Sequence, residues 1–179
     1  MPHPLETERL ILRPYVEEDI APAVRLFESD PAVYRYDPGF ARAPEQRAAI
    51  IRRLMADNQE DGEGTLAVRL KDTGEFIGQA GLQLFVLRWS PFATPEVELY
   101  YKFGLAYWSM GYAQEACRSL VRFAFEEIRL LRLVTITHPD NRRSVRLLEQ
   151  LGFVIGPAPK AWHPHVLGIL TNPAVGRAE

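Results

Sequence analysis

Residues 7–13 pass from Thr-Glu-Arg to Leu10, Ile11 and Leu12, a short strand that Pro14 ends by removing a backbone donor. Over residues 19–28 the period changes. Ile20, Val24 and Phe27 recur at helical spacing, and Ser29-Asp30-Pro31 breaks that helix. Residues 29–43 are poorly periodic and read as a loop rich in Tyr34, Tyr36, Asp37 and Phe40. A second helix starts near Pro44-Glu45, where proline in the first turn costs no hydrogen bond, and carries Ala48, Ile51, Leu54 and Met55 to about Asn58. Asp61-Gly62-Glu63-Gly64 predicts a turn, residues 65–70 a strand, and Asp72-Thr73-Gly74 a hairpin turn. The return strand, 76–87, contains Gly78 and Gly81, which suggest a bulge or the close approach of another backbone. Residues 90–95, with Pro91 and Pro95, predict a loop. Residues 96–103 predict a strand with Val97, Leu99 and Tyr101 on one face.

A long helix is predicted over 111–128. Ala113, Ala116, Leu120 and Ala124 form its apolar stripe, and Gln114, Glu115, Arg118 and Arg122 face away. Residues 132–137 are β-rich. Pro139-Asp140-Asn141 opens a short helix over 142–151 that Gly152 caps, and 153–155 and 166–170 are the last strands. The order βααβββαβαββ defines an α/β or α+β domain with one sheet. A single domain spanning 1–179 is expected from a length inside the ~100–200 residues of one domain.

Composition narrows the classes. The chain is 47% hydrophobic and 25% charged, the mix of an ordinary globule. A net charge of −2 argues against a nucleic-acid binder. The lone cysteine, Cys117, excludes a disulfide framework and a Cys-rich zinc site. No stretch approaches the ~18 apolar residues of a membrane span, and the N-terminus lacks the pattern of a signal peptide. A cytoplasmic protein, monomeric or homodimeric, is the expectation. His138, His163 and His165 form no metal-ligand pattern and read as loop or strand-end residues; no metal site is expected. Cys117 reads as a packed thiol, with no basic partner nearby in sequence.

The candidate chemistry lies in residues 96–153. A strand enters the tight segment Tyr107-Trp108-Ser109-Met110-Gly111-Tyr112-Ala113, a helix leaves it, and the next strand completes a βαβ unit, expected to be parallel and right-handed. A helix N-terminus presents unpaired N–H groups and about half a positive charge. Gly111, without a Cβ, would let phosphates lie on the backbone. The segment thus reads as an anion site or as a plain turn. It is not a nucleotide-hydrolase loop, since no Gly-Lys-Ser/Thr follows, and it lacks the three glycines of a Rossmann turn.

Together, Glu98, the string Trp108-Ser109-Met110-Gly111-Tyr112-Ala113-Gln114-Glu115-Ala116, and Pro139-Asp140-Asn141-Arg142-Arg143-Ser144-Val145-Arg146-Leu147-Leu148-Glu149-Gln150-Leu151-Gly152-Phe153 resemble the GNAT acyltransferases. They are most similar to the branch that includes the ribosomal-protein N-terminal acetyltransferases. Glu6-Thr7-Glu8-Arg9-Leu10-Ile11-Leu12-Arg13-Pro14 looks like that branch's first strand. The resemblance implies a mixed central sheet of six or seven strands with flanking helices. A V-shaped cleft would open between the fourth and fifth strands, which are residues 96–103 and 132–137 here. It implies an N-acetyltransferase that moves acetyl from acetyl-CoA directly to a primary amine through a tetrahedral intermediate. Backbone N–H groups of the fourth strand would polarise the thioester. The amine could belong to a peptide N-terminus or to a small molecule. A different acyl donor such as succinyl-CoA, or a CoA-binding domain without catalysis, are the alternatives.

The pantetheine arm would pair with Tyr101, Lys102 and Phe103. The pyrophosphate would sit on the N–H groups of Met110, Gly111, Tyr112 and Ala113, with Trp108 and Ser109 beside them and Asn141 and Ser144 facing the arm. Relatives often carry Trp-Gly where this chain has Trp108-Ser109, and backbone cradling survives Ser109 if its φ stays negative. Many relatives have a tyrosine at Leu148 to protonate the leaving thiolate; here Ser144 inherits that role.

Glu98 reads as a general base, because a protonated amine cannot attack a thioester, or as a salt-bridged strand residue. Glu96, on the same face by two-residue periodicity, is the reserve. Asn141 and Ser144 also fit a helix cap. Arg142, Arg143 and Arg146 read as a solvated face or as contacts to the CoA 3′-phosphate. Tyr34, Tyr36 and Asp37, with Phe40 and Trp162, read as acceptor contacts or ordinary packing.

Overall fold

A computed structural model describes residues 4–28, 31–36, 42–60, 64–89 and 92–174. The chain opens as a hairpin of β1 (Leu5–Glu6) and β2 (Leu10–Arg13), where a single strand over 7–13 was expected. Thr7 makes the difference. Its N–H donates to Leu10 O at 3.0 Å and its hydroxyl accepts from the Leu10 N–H at 2.9 Å, which turns the chain. Then follow α1 (Ile20–Glu28), α2 (Pro44–Glu60), β3 (Gly64–Leu70), β4 (Phe76–Trp89) and β5 (Phe92–Phe103). The second half supplies α3 (Tyr112–Arg122), β6 (Arg132–Thr137), α4 (Arg142–Gln150), β7 (Val154–Pro157) and β8 (Val166–Thr171).

One sheet of eight strands runs β1-β2-β3-β4-β5-β6-β8-β7. The expected six or seven become eight because β1 splits off. The loop expected over 90–95 is also corrected: Phe92 to Pro95 already belong to β5, paired with β4. Pro95 is tolerated because it lies beyond the reach of β6 and therefore at an open edge. The helix expected over 111–128 ends as α3 at Arg122 and widens into a π turn, Phe123–Glu127, closed by the Ile128 N–H on Phe123 O at 3.1 Å. Within β4, a Cβ on Gly81 would lie 2.1 Å from the Gly64 carbonyl oxygen, so the close approach read from the sequence is real.

Two apolar layers flank the sheet. Leu10, Leu12, Leu66, Val68 and Leu99 pack under Ala116 and Leu120 of α3, Ala124 of the π turn and Leu148 of α4. Ala67, between Leu66 and Val68, points the other way by strand alternation. It packs with Phe27, Ile51 and Phe76 beneath α1 and α2. Buried Asp19 ties α1 to the sheet through Arg13 and Arg69. All strand pairs are antiparallel except β5 with β6, which are parallel and matched only at Glu98 and Val134. That single junction is what positions the site. No helix of the described residues is long and apolar enough to cross a membrane.

Candidate active site

Past the Glu98–Val134 junction a cleft of about 410 Å³ opens. Tyr101, Lys102 and Phe103 of β5 form one wall; Asn141, Ser144 and Leu147 at α4 form another; Trp108, Ser109, Gly111 and Ala113 close the end. The sheet is pried apart because β6 spends its other edge on β8 along its whole length, while β5 is held by β4 over all twelve of its residues.

The turn at the end of the cleft is anchored first by Trp108, whose indole N–H donates to Phe103 O at 2.8 Å. Ser109 then adopts φ 63° and Gly111 φ 83°. The condition set for cradling at Ser109, a negative φ, is not met, so the seat rests on the N–H groups that follow it. The position takes the left-handed conformation that suits glycine, at a cost of about 1–2 kcal/mol for an L-residue. Left-handed Gly111 followed by right-handed α3 aims successive N–H groups toward one point, a nest for anions. Among the described residues none accepts from the N–H groups of Met110, Gly111, Tyr112 or Ala113. The first helical bond is Glu115 N–H to Gly111 O at 3.0 Å. The residues present therefore fit a diphosphate. Met110 and Tyr112 offer it only backbone, since the Met110 side chain is exposed and the Tyr112 ring lies under Arg9 at 4.5 Å.

At α4, Asn141 caps the helix by accepting from the Ser144 N–H at 3.3 Å. The Ser144 and Tyr101 hydroxyls are 2.7 Å apart, both on the cleft. Burial raises the Tyr101 phenol well above its ordinary value, with the Cys117 thiol adding to the shift. Leu148 is wholly buried in the core and has no proton to give. Of the arginines, Arg143 and Arg146 line the cleft, with Arg143 5.4 Å over the Trp108 ring; Arg142 does not line it.

Glu98 stands at the apex of the split. The Gln83 amide donates to its Oε2 at 2.7 Å, and the Ile136 N–H also bonds it. Burial raises its carboxyl pKa and these two hydrogen bonds only partly offset that. Glu96 is equally buried but is held by Arg132, which donates from Nε at 2.9 Å and again from Nη2.

Tyr36 lines the cleft and stacks on His138 with centroids 6.0 Å apart; His138 in turn meets His165 edge-on at 5.6 Å. Sequence gave no reason to join those histidines. Trp162 packs on Phe85 at 5.0 Å. Tyr34 is buried, its ring under Lys102 Nζ at 4.0 Å and its hydroxyl bonded by Arg47, so it sits behind the wall. Asp37 and Phe40 lie outside the described residues. Cys117 is buried and unpaired, its thiol pKa pushed up by burial, as a packed thiol requires. Among the described residues no cluster of three or more His, Cys, Asp or Glu is placed to hold a metal.

Two residues that brace the site from outside the cleft escaped the sequence reading: Gln83, and Glu115, placed there only on the face away from the apolar stripe. The Thr7 hydroxyl donates to Glu115 Oε1 at 2.6 Å and the Arg9 Nε to Oε2 at 2.7 Å. Partial burial alone would raise the Glu115 carboxyl, but the bonds from Thr7 and Arg9 outweigh it and hold the pKa low. The Thr7-Glu8-Arg9 motif was the available signal.

A sheet split beside a helix whose first N–H groups are bare is the build of a CoA-dependent acyltransferase. A family model described as an acetyltransferase (GNAT) domain matches residues 9–154. The crystal structure of an acetyltransferase from Agrobacterium tumefaciens str. C58 is 32% identical, with a TM-score of 0.77 over 95% of each chain. YoaA, an uncharacterized N-acetyltransferase of Bacillus subtilis (strain 168), is 28% identical over 149 residues, 83% of this chain and 81% of that protein. The ribosomal-protein-S5-alanine acetyltransferase of Vibrio fischeri shares the fold at 19% identity, with a TM-score of 0.73 over 96% of this chain and 97% of that one. The chain belongs to the GNAT acetyltransferase family and is an acyltransferase that moves an acyl group from acyl-CoA to an amine.

Proposed function

We propose that the chain is an N-acetyltransferase that uses acetyl-CoA and a primary amine, most akin to the enzymes that acetylate ribosomal-protein N-termini. The observation that carries this reading is the cleft beside β5 that ends on the bare N–H groups of residues 110–113. Acetyl-CoA supplies the acetyl group as a thioester. The N–H groups of Met110, Gly111, Tyr112 and Ala113 hold its diphosphate, Tyr101, Lys102 and Phe103 guide the pantetheine arm, and Asn141 faces that arm. Trp108 and Ser109 shape the seat. Glu98 takes the proton from the amine, directly or through water; its raised pKa makes it a stronger base than an exposed carboxylate. Ser144 gives a proton to the departing sulfur, and Tyr36 meets the acceptor. The fold of the Vibrio fischeri enzyme supports the choice of a peptide N-terminus over a small-molecule amine as the first acceptor to try.

The test is turnover of acetyl-CoA, with succinyl-CoA alongside, against N-terminal peptides, polyamines, aminoglycosides and free amino acids. Acetyl transfer to a peptide α-amine, with CoA raising Tm, is the expected result. CoA binding without transfer to any amine would leave a CoA-binding domain. Faster succinyl transfer would change the donor.

A further inference from the structure

The Thr7-Glu8-Arg9 motif has no part in the reaction as proposed, yet its side chains converge on the back of the phosphate-binding turn. Arg9 Nη1 donates to the Met110 carbonyl at 3.0 Å, and its guanidinium lies over the Tyr112 ring. A Cβ on Gly111 would sit 3.2 Å from Arg9 Nη2. Glu115, one turn into α3, accepts from Arg9 Nε and from the Arg9 N–H at 2.8 Å as well as from the Thr7 hydroxyl. In an uninterrupted helix the Met110 carbonyl would accept from the Gln114 N–H. Here Arg9 takes that carbonyl, and α3 starts only with the bond from Glu115 to Gly111.

We propose that Thr7 and Arg9, through Glu115 and the Met110 carbonyl, are positioning residues that hold the turn with its N–H groups facing the cleft, and so set affinity for the diphosphate part of the donor. Arg9 does not line the cleft. It acts from behind, and the Met110–Gly111 peptide it holds by the oxygen points its own N–H, that of Gly111, to the other side. This rests on the turn being the seat of the donor's diphosphate.

Two donors separate the roles: acetyl-CoA, and S-acetylpantetheine, which has the thioester and arm but no phosphate. In Arg9→Gln, KM for acetyl-CoA and Kd for CoA should rise roughly tenfold, the worth of a lost charged hydrogen bond. KM for S-acetylpantetheine should stay at the wild-type value. Arg9→Lys keeps the charge but not the fork, and should not restore acetyl-CoA binding. Glu115→Gln should give the same selective loss, and the double variant should be no worse than Arg9→Gln, because both break one unit. An equal KM rise for both donors would make the contact merely structural, and rescue by lysine would make it a charge effect; either overturns the proposal, as does unchanged CoA affinity in both single variants. Should Arg9→Gln fail to fold, Glu115→Gln, which keeps the shape and removes only the charge that holds Arg9, reads the same donor split. Wild-type protein that binds no CoA would instead sink the reading of the seat itself.

Discussion

The two sides of the split sheet are built differently. On the proposed donor side, the candidate anion seat is main chain: consecutive N–H groups from one short segment, turned by Ser109 and Gly111. On the proposed acceptor side, the candidate groups are side chains, gathered from β4, β5 and three connecting segments: Gln83, Glu98, Tyr36, His138 and His165. A backbone seat is set by local conformation and tolerates most side chains, whereas a side-chain site depends on register across strands far apart in sequence. Donor binding should therefore be damaged by changes in backbone geometry, and acceptor chemistry by changes in single functional groups.

The largest expected effect tests the acceptor side. Glu98→Gln keeps the shape and the bond to Gln83 but removes the base. General-base catalysis contributes roughly 10²–10⁴-fold, so kcat should fall by that order while Kd for CoA stays put. The pH profile sharpens the test. Burial holds the Glu98 proton to higher pH than an ordinary carboxylate, so the basic form fills only above that raised value. Wild-type kcat should rise with pH along a limb above the usual carboxylate range, and the variant should lack it. The linked stability runs the opposite way. A raised folded-state pKa favours the fold below the ordinary value and loses that contribution as pH climbs through the raised one. Wild-type kcat in Glu98→Gln, measured where chemistry limits turnover, would remove the carboxylate from the mechanism.

The same contrast explains what the sequence could tell. Elements with a strong local period came through nearly whole: β6 matches residues 132–137, and α4 ends one residue short of its expected 142–151. The turn before α3, the proposed anion seat, was legible because glycine before an amphipathic helix is a local signal. Ser109 misled because a left-handed serine carries no such signal. Pro95 misled because proline breaks a strand only when its neighbour needs the missing donor, and the gap beside β5 is a tertiary fact. The hairpin of β1 and β2 turned on two bonds between Thr7 and Leu10, one of them to the threonine hydroxyl. Glu115 read as no more than a residue facing away from the apolar stripe because its partners, Thr7 and Arg9, lie over a hundred residues away. The meeting of Tyr36, His138 and His165 was invisible for the same reason.

On the donor side, Gly111→Asp is the strongest test. The residue has φ 83°, so any L-side chain is strained, and aspartate puts a negative charge beside the proposed diphosphate. Affinity for CoA should fall at least tenfold, about 1.4 kcal/mol, by calorimetry on protein that still melts cooperatively. Undiminished affinity would mean the diphosphate lies elsewhere and would erase the contrast between a main-chain and a side-chain site.

Tyr36 tests the border, since it lines the donor cleft and stacks on His138. Aromatic pairs contribute about 0.5–1.5 kcal/mol beyond their buried area. Tyr36→Ala should therefore raise KM for the amine roughly 2- to 10-fold, with a smaller change in KM for acetyl-CoA, while Tyr36→Phe keeps the stack and most of the affinity. Equal shifts for both substrates would assign Tyr36 to the wall of the donor cleft.

The smallest effect should come from Glu96→Gln. Glu96 and Glu98 share a strand and a face and are buried to nearly the same degree, 7% and 8% exposed. They differ in what holds them. Glu96 is paired with Arg132, whose own side chain is 47% exposed and can return to water when the pair is broken. Glu98 has only neutral donors and keeps its proton-accepting capacity. An ion pair with one half-exposed partner contributes about 0.5–1 kcal/mol, so Glu96→Gln should lower Tm by roughly 1–4 °C. Its kcat and its acid limb should match the wild type, because the guanidinium already occupies both oxygens. A large loss of kcat in Glu96→Gln with normal turnover in Glu98→Gln would reverse the assignment and make the paired carboxylate the working one.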